Sequence, residues 1–409
     1  MVTQIVNEMG FQFRFIKHID EVDADKWDRL SQQGGPFVTY AFLRALENSG
    51  SVGPDTGWTP HHLLIEKGND LIAAMPGYLK SDSYGEYVFD HAWANAYYQH
   101  GREYYPKWIS AVPFTPVTGP RVLLTANCVR EAVDSALLDS LDSLQGAGVS
   151  SLHVLFPAAT PDLLSHAGYL TRYSVQFQWH NYGYQTYDDF LAALTSRKRK
   201  DLRKAYSQLP QQGVTISRLT GDAITEDDST FFYHCYMQTY LKRSGHTGYL
   251  TKAFFTEIFD TLRDKILLVV AKKNDKRIAS ALFFFDDSGL YGRYWGSVED
   301  IDGLHFLCCY LEGIHFAIEK ALPLFNPGTQ GEHKILRGFE PVFCRSFHKL
   351  FAYEFHMAVA DYLHRETPAM VGYFNQARDV LPFNANFQSR LKASSVDTTA
   401  FSIDNNKSN

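Results

Sequence analysis

Two stretches of the chain share one pattern of apolar and polar positions. "HHLLIEKGNDLIAAMPGYLK" (61–80) and "ILLVVAKKNDKRIASALFFFD" (266–286) each set two apolar runs about a short polar turn, with Asn69-Asp70 in one and Asn274-Asp275 in the other. Runs of this length about such a turn predict a β-hairpin. The sequel is parallel too. Each hairpin leads into an aromatic-rich stretch that reads as a strand running into a loop, "YGEYVFDHAWANAYY" (84–98) and "LYGRYWGSVEDIDGLHF" (290–306). A helix follows ("VREAVDSALLDSLDSL", "LCCYLEGIHFAIEKA"), then a short buried strand ("SSLHVLF", "LPLF"). Shared order over four elements predicts one α/β unit used twice. A length of 409 residues exceeds what one core usually supports. The expected division is a first domain over 1–180, a second over 181–390, and a disordered tail over 391–409, where the sequence turns small, polar and unpatterned. Halves related in this way can turn equivalent loops toward a shared cleft, a usual place for a ligand.

Composition narrows the function classes. Apolar residues make up 45% and charged residues 21%, which belongs to a folded globular chain. A net charge of −6 and a pI near 6.2 exclude a chain built overall to coat DNA or an anionic membrane, so any basic patch must be local. The N-terminus lacks a signal-peptide pattern and no segment reaches 18 apolar residues, so a cytoplasmic protein without a membrane span is expected. Five cysteines without a CxxC suggest neither a disulfide framework nor a zinc site, and no metal is expected. Cys308 and Cys309 fall in an apolar helical stretch, where buried inert thiols are the simpler reading.

Four polar clusters carry candidate chemistry. In 80–98, Lys80, Tyr84, Glu86 and Trp93 are candidate substrate contacts, and the adjacent Asp90-His91 reads as a carboxylate–imidazole pair suited to general-base work or as a strand end with an ion pair. The stretch "YYPKWISAVPFTPVTGPRVLL" (104–124) reads as a rigid, extended wall. The run "SRKRKDLRKA" (196–205), with Ser196 as N-cap, carries a local charge of +5. Its Arg197, Lys198, Arg199 and Arg203 could meet phosphates or could form a solvated helix face. In "YGRYWG", Arg293 stands among Tyr294 and Trp295, an anion-binding group among rings that can stack, with His305 further on. Finally "NPGTQGEHKILRGFEPV" (326–342) crowds Gln330, Glu332, His333, Lys334 and Arg337 between three glycines and two prolines. There His333 or Glu332 could accept a proton while Lys334 or Arg337 binds an oxyanion or phosphate; a charged hairpin with a Glu332–Arg337 pair is the plainer alternative.

The motifs "SYGEYVFDHAWANAY", "YYPK", "AVPFTPVTGPR", "GRYWG", "LHF…CY", "GTQGEHK" and "RGFEPV", in this order over roughly 25–385, resemble the FemAB-like proteins of the GNAT superfamily, a group described as peptidoglycan biosynthesis or recognition proteins. The resemblance implies tandem GNAT-like domains, α/β (α+β) in class, each a mixed, mostly antiparallel sheet flanked by helices. It also implies N-acyltransferase chemistry on an amine, with the acyl carbonyl polarised by backbone N–H groups at a strand bulge. The chain departs from the pattern in three places. It has no long helical arm of the kind that accompanies aminoacyl-tRNA use, and no Q/R-x-x-G-x-G/A loop for the pyrophosphate of acyl-CoA. Leu307 stands where the family's His-Phe-Glu pattern has its acid, leaving Glu312 or Glu332 as substitutes. The expected function is transfer of an acyl or aminoacyl group from acyl-CoA or aminoacyl-tRNA, as co-substrate rather than bound cofactor, to a small-molecule or cell-wall-precursor amine. The alternative is a non-catalytic module that recognises a peptidoglycan precursor or amino-sugar.

Overall fold

The computed structural model describes residues 5–6, 10–32, 34–126, 128, 130–158, 161–329, 331–398 and 401. The chain forms two compact units, Met1–Ser174 with Cys344–Thr367, and Val175–Phe343 with Pro368–Asn409. The change therefore falls at 174/175 rather than 180/181, and 344–367 returns to the first unit. The stretch expected to be a free tail from 391 begins as packed structure: Leu391 and Ala393 are buried, Lys392–Ser395 forms a 3-10 turn, and the Ala393 N–H donates to Glu340 Oε2 at 2.9 Å. Two apolar residues anchor a segment whose average composition is polar.

In the first unit His62–Lys67 and Asp70–Met75 form the expected hairpin, inside an antiparallel sheet with Gln12–Ile16. A second sheet places Trp58–Pro60, Tyr78–Lys80, Lys107–Ser110, Ser151–Leu155 and residues 346–350 side by side. Lys107–Ser110 and Ser151–Leu155 run parallel, and helix Arg130–Asp142 lies between them in sequence. A parallel neighbour requires such a crossover. Its buried Val133, Ala136, Leu137 and Leu141 follow helical spacing against the core.

The second unit repeats this plan. Ile266–Lys273 and Lys276–Asp286 form the hairpin, with Val214–Thr220 on one side and Gly289–Ser297 on the other, all antiparallel. Gly289–Ser297 then runs parallel to Leu324–Asn326, and the intervening helix is built from Leu304–Phe306, a π-helical turn Leu307–Leu311 and Glu312–Glu319. Both hairpins also carry the same irregularity. Register slips between Ile65 and Glu66 in one and between Ala271 and Lys272 in the other, so Ile72 and Ile278 each stand as the extra residue two positions into the returning strand. A bulge is a built feature rather than noise, and its recurrence at one register strengthens the case for an internal repeat.

One part of the repeat is misplaced in the sequence reading. Residues 84–98 are not a strand: they are a turn-rich loop followed by helix His91–Gln99. Trp93, Ala94 and Tyr97 are the buried positions, which is helical spacing, and alanines supply helix propensity that aromatic content masked. The strand equivalent to Gly289–Ser297 is Lys107–Ser110, inside the stretch read only as a rigid wall.

Helix Glu226–Ser244 crosses Gly289–Ser297 so closely that a Cβ on Gly296 would overlap the Cys235 carbonyl. Gly296→Ala is expected to destabilise the second unit by about 1–3 kcal/mol or more through overpacking against backbone. Urea unfolding measures it; wild-type stability in the variant would contradict this close approach.

Candidate functional site

The second unit gathers most of the candidate residues. Between Gly289–Ser297 and Lys276–Asp286, Leu282 pairs with Tyr294 and Phe283 with Gly292, which leaves Arg293 as the extra residue of a bulge. The bulge interrupts the pairing next to the chemistry-bearing side chains, where bulges commonly re-aim a strand. Tyr294 meets Tyr236 edge-on at 5.4 Å, the Arg293 guanidinium lies 5.2 Å over the Tyr294 ring, and Trp295 meets His305 at 5.3 Å. A groove of about 440 Å³ runs along Arg243, Trp295, Asp300, Leu304 and His305.

The segment 326–338 folds back beside the helix through three glycines with left-handed backbone, Gly328, Gly331 and Gly338. Its Glu332–Arg337 is a 3-10 helix. There Lys334 is buried and its Nζ donates to the Gly328 carbonyl at 2.6 Å. The π-helical turn brings Tyr310 against His333, with the hydroxyl 2.8 Å from Nε2. Arg337 donates to the His333 carbonyl, stacks 4.0 Å over Phe306, and keeps a buried Nε that has no hydrogen-bond partner among the described residues. Gly331 faces the His333 ring so closely that any Cβ would displace it.

The electrostatic partners of this group are mainly cations. Partial desolvation, then His333, Arg243, Arg337 and Lys334, pull His305 down to about 4. Desolvation together with Arg337 and Lys334 lowers His333 as well. Both imidazoles are therefore held toward the neutral form. Burial, with Arg293 adding to it, draws the Lys334 ammonium down to about 7. Cys309 lies in the field of Lys334 and Arg243, but burial dominates and raises its thiol, as it does for Cys308, so both are poor nucleophiles. Three arginines and the partly charged Lys334 gather around imidazoles held toward neutrality and a tyrosine, an arrangement with the chemistry to accept an anion.

Other candidates are placed elsewhere. Glu332 lies close enough to Tyr373 to help burial push that phenol up to about 12. Glu312 is held by Arg218 at 3.4 Å and Tyr206 at 3.3 Å. Leu307 is buried in the core. Gln330 lies outside the described residues. The basic run forms helix Ser196–Gln211 with Thr195, not Ser196, at the N-cap position. Arg203 pairs with Asp188 at 2.8 Å, Lys198 with Asp201 at 3.6 Å, and Arg199 donates to the Leu194 carbonyl, while Arg197 is exposed. This helix packs beside both 307–311 and 332–337.

The first unit separates Asp90 from His91. Asp90 is buried, and its carboxylate accepts from Lys107 Nζ at 2.5 Å, Tyr104 at 2.7 Å and Ser83 at 2.5 Å; His91 is exposed and faces Tyr84. Burial is the largest single influence and would raise the Asp90 carboxyl, but Lys107, His153 and the Ser83 hydroxyl together outweigh it and hold the group well below the usual range. Lys107 also reaches Glu86 at 2.8 Å, where burial wins and lifts the carboxyl to about 7. From Asp90 the chain of contacts continues through Tyr104 to His153, 3.4 Å away, and on to His348 at 2.6 Å between the two Nδ1 atoms. Burial keeps both imidazoles neutral, His153 near 3. Trp93 packs edge-on against His348, and Lys80 is buried 4.1 Å over Trp58. Lys80, Glu86, Asp90 and Trp93 are therefore interior groups, not substrate contacts presented at a surface.

The sequence reading missed Arg243, Tyr310, Lys107, Tyr104, His153 and His348. Tyr104 and Lys107 were visible in "YYPK", where a lysine amid aromatic residues signals a paired charge. Nothing in one sequence links Arg243 or His348 to its distant partners.

The fold is two α/β units, each rich in antiparallel strands and each with one parallel strand pair across a helix. The chain belongs to the FemAB-like family, described as peptidoglycan biosynthesis/recognition, whose model matches residues 18–385. Among solved structures it is similar to FemX, at 12% identity and a TM-score of 0.53 over 83% of this chain and 98% of that one. It is also similar to the C-terminal domain (DUF2156) of a proposed lysylphosphatidylglycerol synthetase from Agrobacterium fabrum, at 12% identity and a TM-score of 0.52 over 84% of this chain and 96% of that one. At such identities the likeness concerns the fold. No curated protein matches the chain in sequence. Among the described residues no helix is long and apolar enough to cross a membrane.

Proposed function

We propose that the protein is an N-acyltransferase that moves an acyl or aminoacyl group from an activated donor to an amine, with the reaction carried by the second unit. The observation behind this reading is the Arg293 bulge standing beside a cationic group made of Arg243, Arg293, Lys334 and Arg337. The amine nitrogen attacks the acyl carbonyl, and backbone N–H groups at the bulge stabilise the oxygen as it gains charge. The bond to the donor's leaving group breaks, and His333, neutral and linked to Tyr310, takes the proton lost by the amine. The cations hold the donor's phosphates, while Tyr294 and Trp295 offer faces for stacking. The donor is acyl-CoA or aminoacyl-tRNA, both cytoplasmic, and the family description directs the acceptor toward a peptidoglycan precursor.

A recognition module without turnover is the second reading. It is favoured by Leu307 in the acid's place, with Glu312 engaged by Arg218 and Tyr206. Calorimetric titration with a non-reactive donor analogue tests the anion site. Arg243→Glu and Arg337→Glu are each expected to weaken binding about tenfold or more, because each reverses a charge at a phosphate. Unchanged affinity in both variants would remove the donor from this site.

A further inference from the structure

We infer that the proton lost by the amine reaches His333 through the hydroxyl of Tyr310, and that the same hydroxyl holds the imidazole in its Nδ1–H tautomer. The inference deepens the acyl-transfer reading and rests on it. It starts from the contact between the two side chains: the Tyr310 oxygen lies 2.8 Å from His333 Nε2, and the ring planes meet at 61° with centroids 5.5 Å apart. At that distance Nε2 is already occupied. An amine that approaches its lone pair meets the phenol first.

Which atom donates follows from what each partner can satisfy. A tyrosine hydroxyl offers one proton and two lone pairs, whereas a neutral imidazole has one N–H and one bare nitrogen. Tyr310 is 4% exposed, and among the described residues its hydroxyl has no hydrogen-bond partner besides His333. If an Nε2–H were the donor, the phenol's own proton would be left buried and unpaired, a cost that a bond to bare Nε2 avoids. Burial points the same way: it holds the phenol above its ordinary range against Arg337 and Arg243, so the proton stays on the oxygen. Tyr310 therefore donates, Nε2 accepts, and the imidazole proton sits on Nδ1.

The surroundings fix both rings. Tyr310 belongs to the π-helical turn Leu307–Leu311, a rare form that occurs frequently at functional sites. Its ring is held by Phe306, Phe339 and His305, at centroid distances of 6.1, 5.7 and 5.5 Å. Gly331 lies so close to the other edge of the imidazole that a Cβ would fall 2.2 Å from Cε1 and 2.6 Å from Nδ1, and Arg337 braces the His333 carbonyl. Gly331 thus crowds Nδ1, and Nε2 with Tyr310 upon it is the route that remains.

The step balances without a further reagent. As the amine nitrogen bonds to the acyl carbon, its proton passes to a lone pair of the Tyr310 oxygen while the phenol's proton passes to Nε2. The electron pair of the bond to the donor departs with the leaving group. Tyr310 ends neutral and His333 ends as imidazolium, which returns its proton to the leaving group or to water.

The test begins without substrate. In the full chain labelled with ¹⁵N-histidine, the His333 signals, identified by their loss in His333→Gln, are read at a pH above 6.5, where the ring is neutral. The wild type is expected to show a protonated Nδ1 and a bare, hydrogen-bonded Nε2. Tyr310→Phe, which keeps the ring that packs on Phe306 and Phe339 and is expected to fold, should shift the imidazole toward the Nε2–H form that free imidazoles favour. A protonated Nε2 in the wild type, or an unchanged spectrum in Tyr310→Phe, would overturn the assignment. Turnover then tests the relay: Tyr310→Phe is expected to lower kcat about 10²-fold with KM unchanged, the low end for a positioned proton transfer. Wild-type kcat in Tyr310→Phe would overturn the relay alone. The expected spectrum in a wild type that turns over no donor would overturn the acyl-transfer reading itself, and the relay with it.

Discussion

Lys107→Met is expected to destabilise the first unit by about 3–5 kcal/mol, the range for removing one partner from a buried ion pair. The lysine is 1% exposed and is the shared donor to Asp90 and Glu86, themselves 2% and 4% exposed. Methionine fills much of the volume but leaves two carboxyl groups facing each other in the interior. The size of the loss comes from those abandoned charges more than from the pair's own net contribution, which desolvation largely offsets. The combination Lys107→Met, Asp90→Asn, Glu86→Gln is therefore expected to be more stable than Lys107→Met alone. Chemical unfolding of the three proteins measures this; a triple variant no better than the single one would show that packing, not charge, governs the site.

His333→Ala is expected to lower kcat by about 10²–10⁴ with the fold intact, the range for a general base. The ring is exposed and touches Tyr310, so its loss removes chemistry with little core packing. The pH dependence should separate His333 from Lys334. Because desolvation, Arg337 and Lys334 depress the His333 pKa, the base form persists below 6.5 and the acid limb of kcat should lie under that value. Lys334 works in the other direction. Its ammonium is held near 7, so the free enzyme loses that charge as pH rises through 7, and KM for an anionic donor should climb. Lys334→Arg keeps its charge and should flatten the climb. A wild-type KM independent of pH from 6 to 9 would contradict a role for Lys334 in holding the donor.

How far the sequence could be read depended on whether a feature is local. Both hairpins, the helix after each and the parallel closing strand were legible because apolar runs and turn residues lie within a few positions of one another. Asn274 and Asp275, both with left-handed φ, are the sort of residues that a tight hairpin turn selects. Arg293, His305, His333, Lys334 and Arg337 stood out only as members of separate local clusters, and it is the fold that brings them near one another. Residues 84–98 were misread because their aromatic content imitates a strand, whereas Trp93 and Tyr97 follow helical spacing. Asp90-His91 looked like a catalytic pair because adjacency in sequence was taken for adjacency of side chains; a helix start at His91 turns one inward and the other out. The network from Lys107 to His348 could not have been read at all, because it joins residues up to 195 positions apart, as in His153 and His348.

The most direct measurement is the intact mass of amine acceptors after incubation with the protein and an activated donor. Acyl-CoA and aminoacyl-tRNA would be offered in turn against lysine, amino-sugars and peptidoglycan precursors. The account predicts a mass gain equal to one acyl or aminoacyl group on one class of amine, abolished in His333→Ala and reduced in Arg337→Glu. Saturable binding of an acceptor with no mass gain from any donor would contradict transfer and leave recognition as the function of the fold.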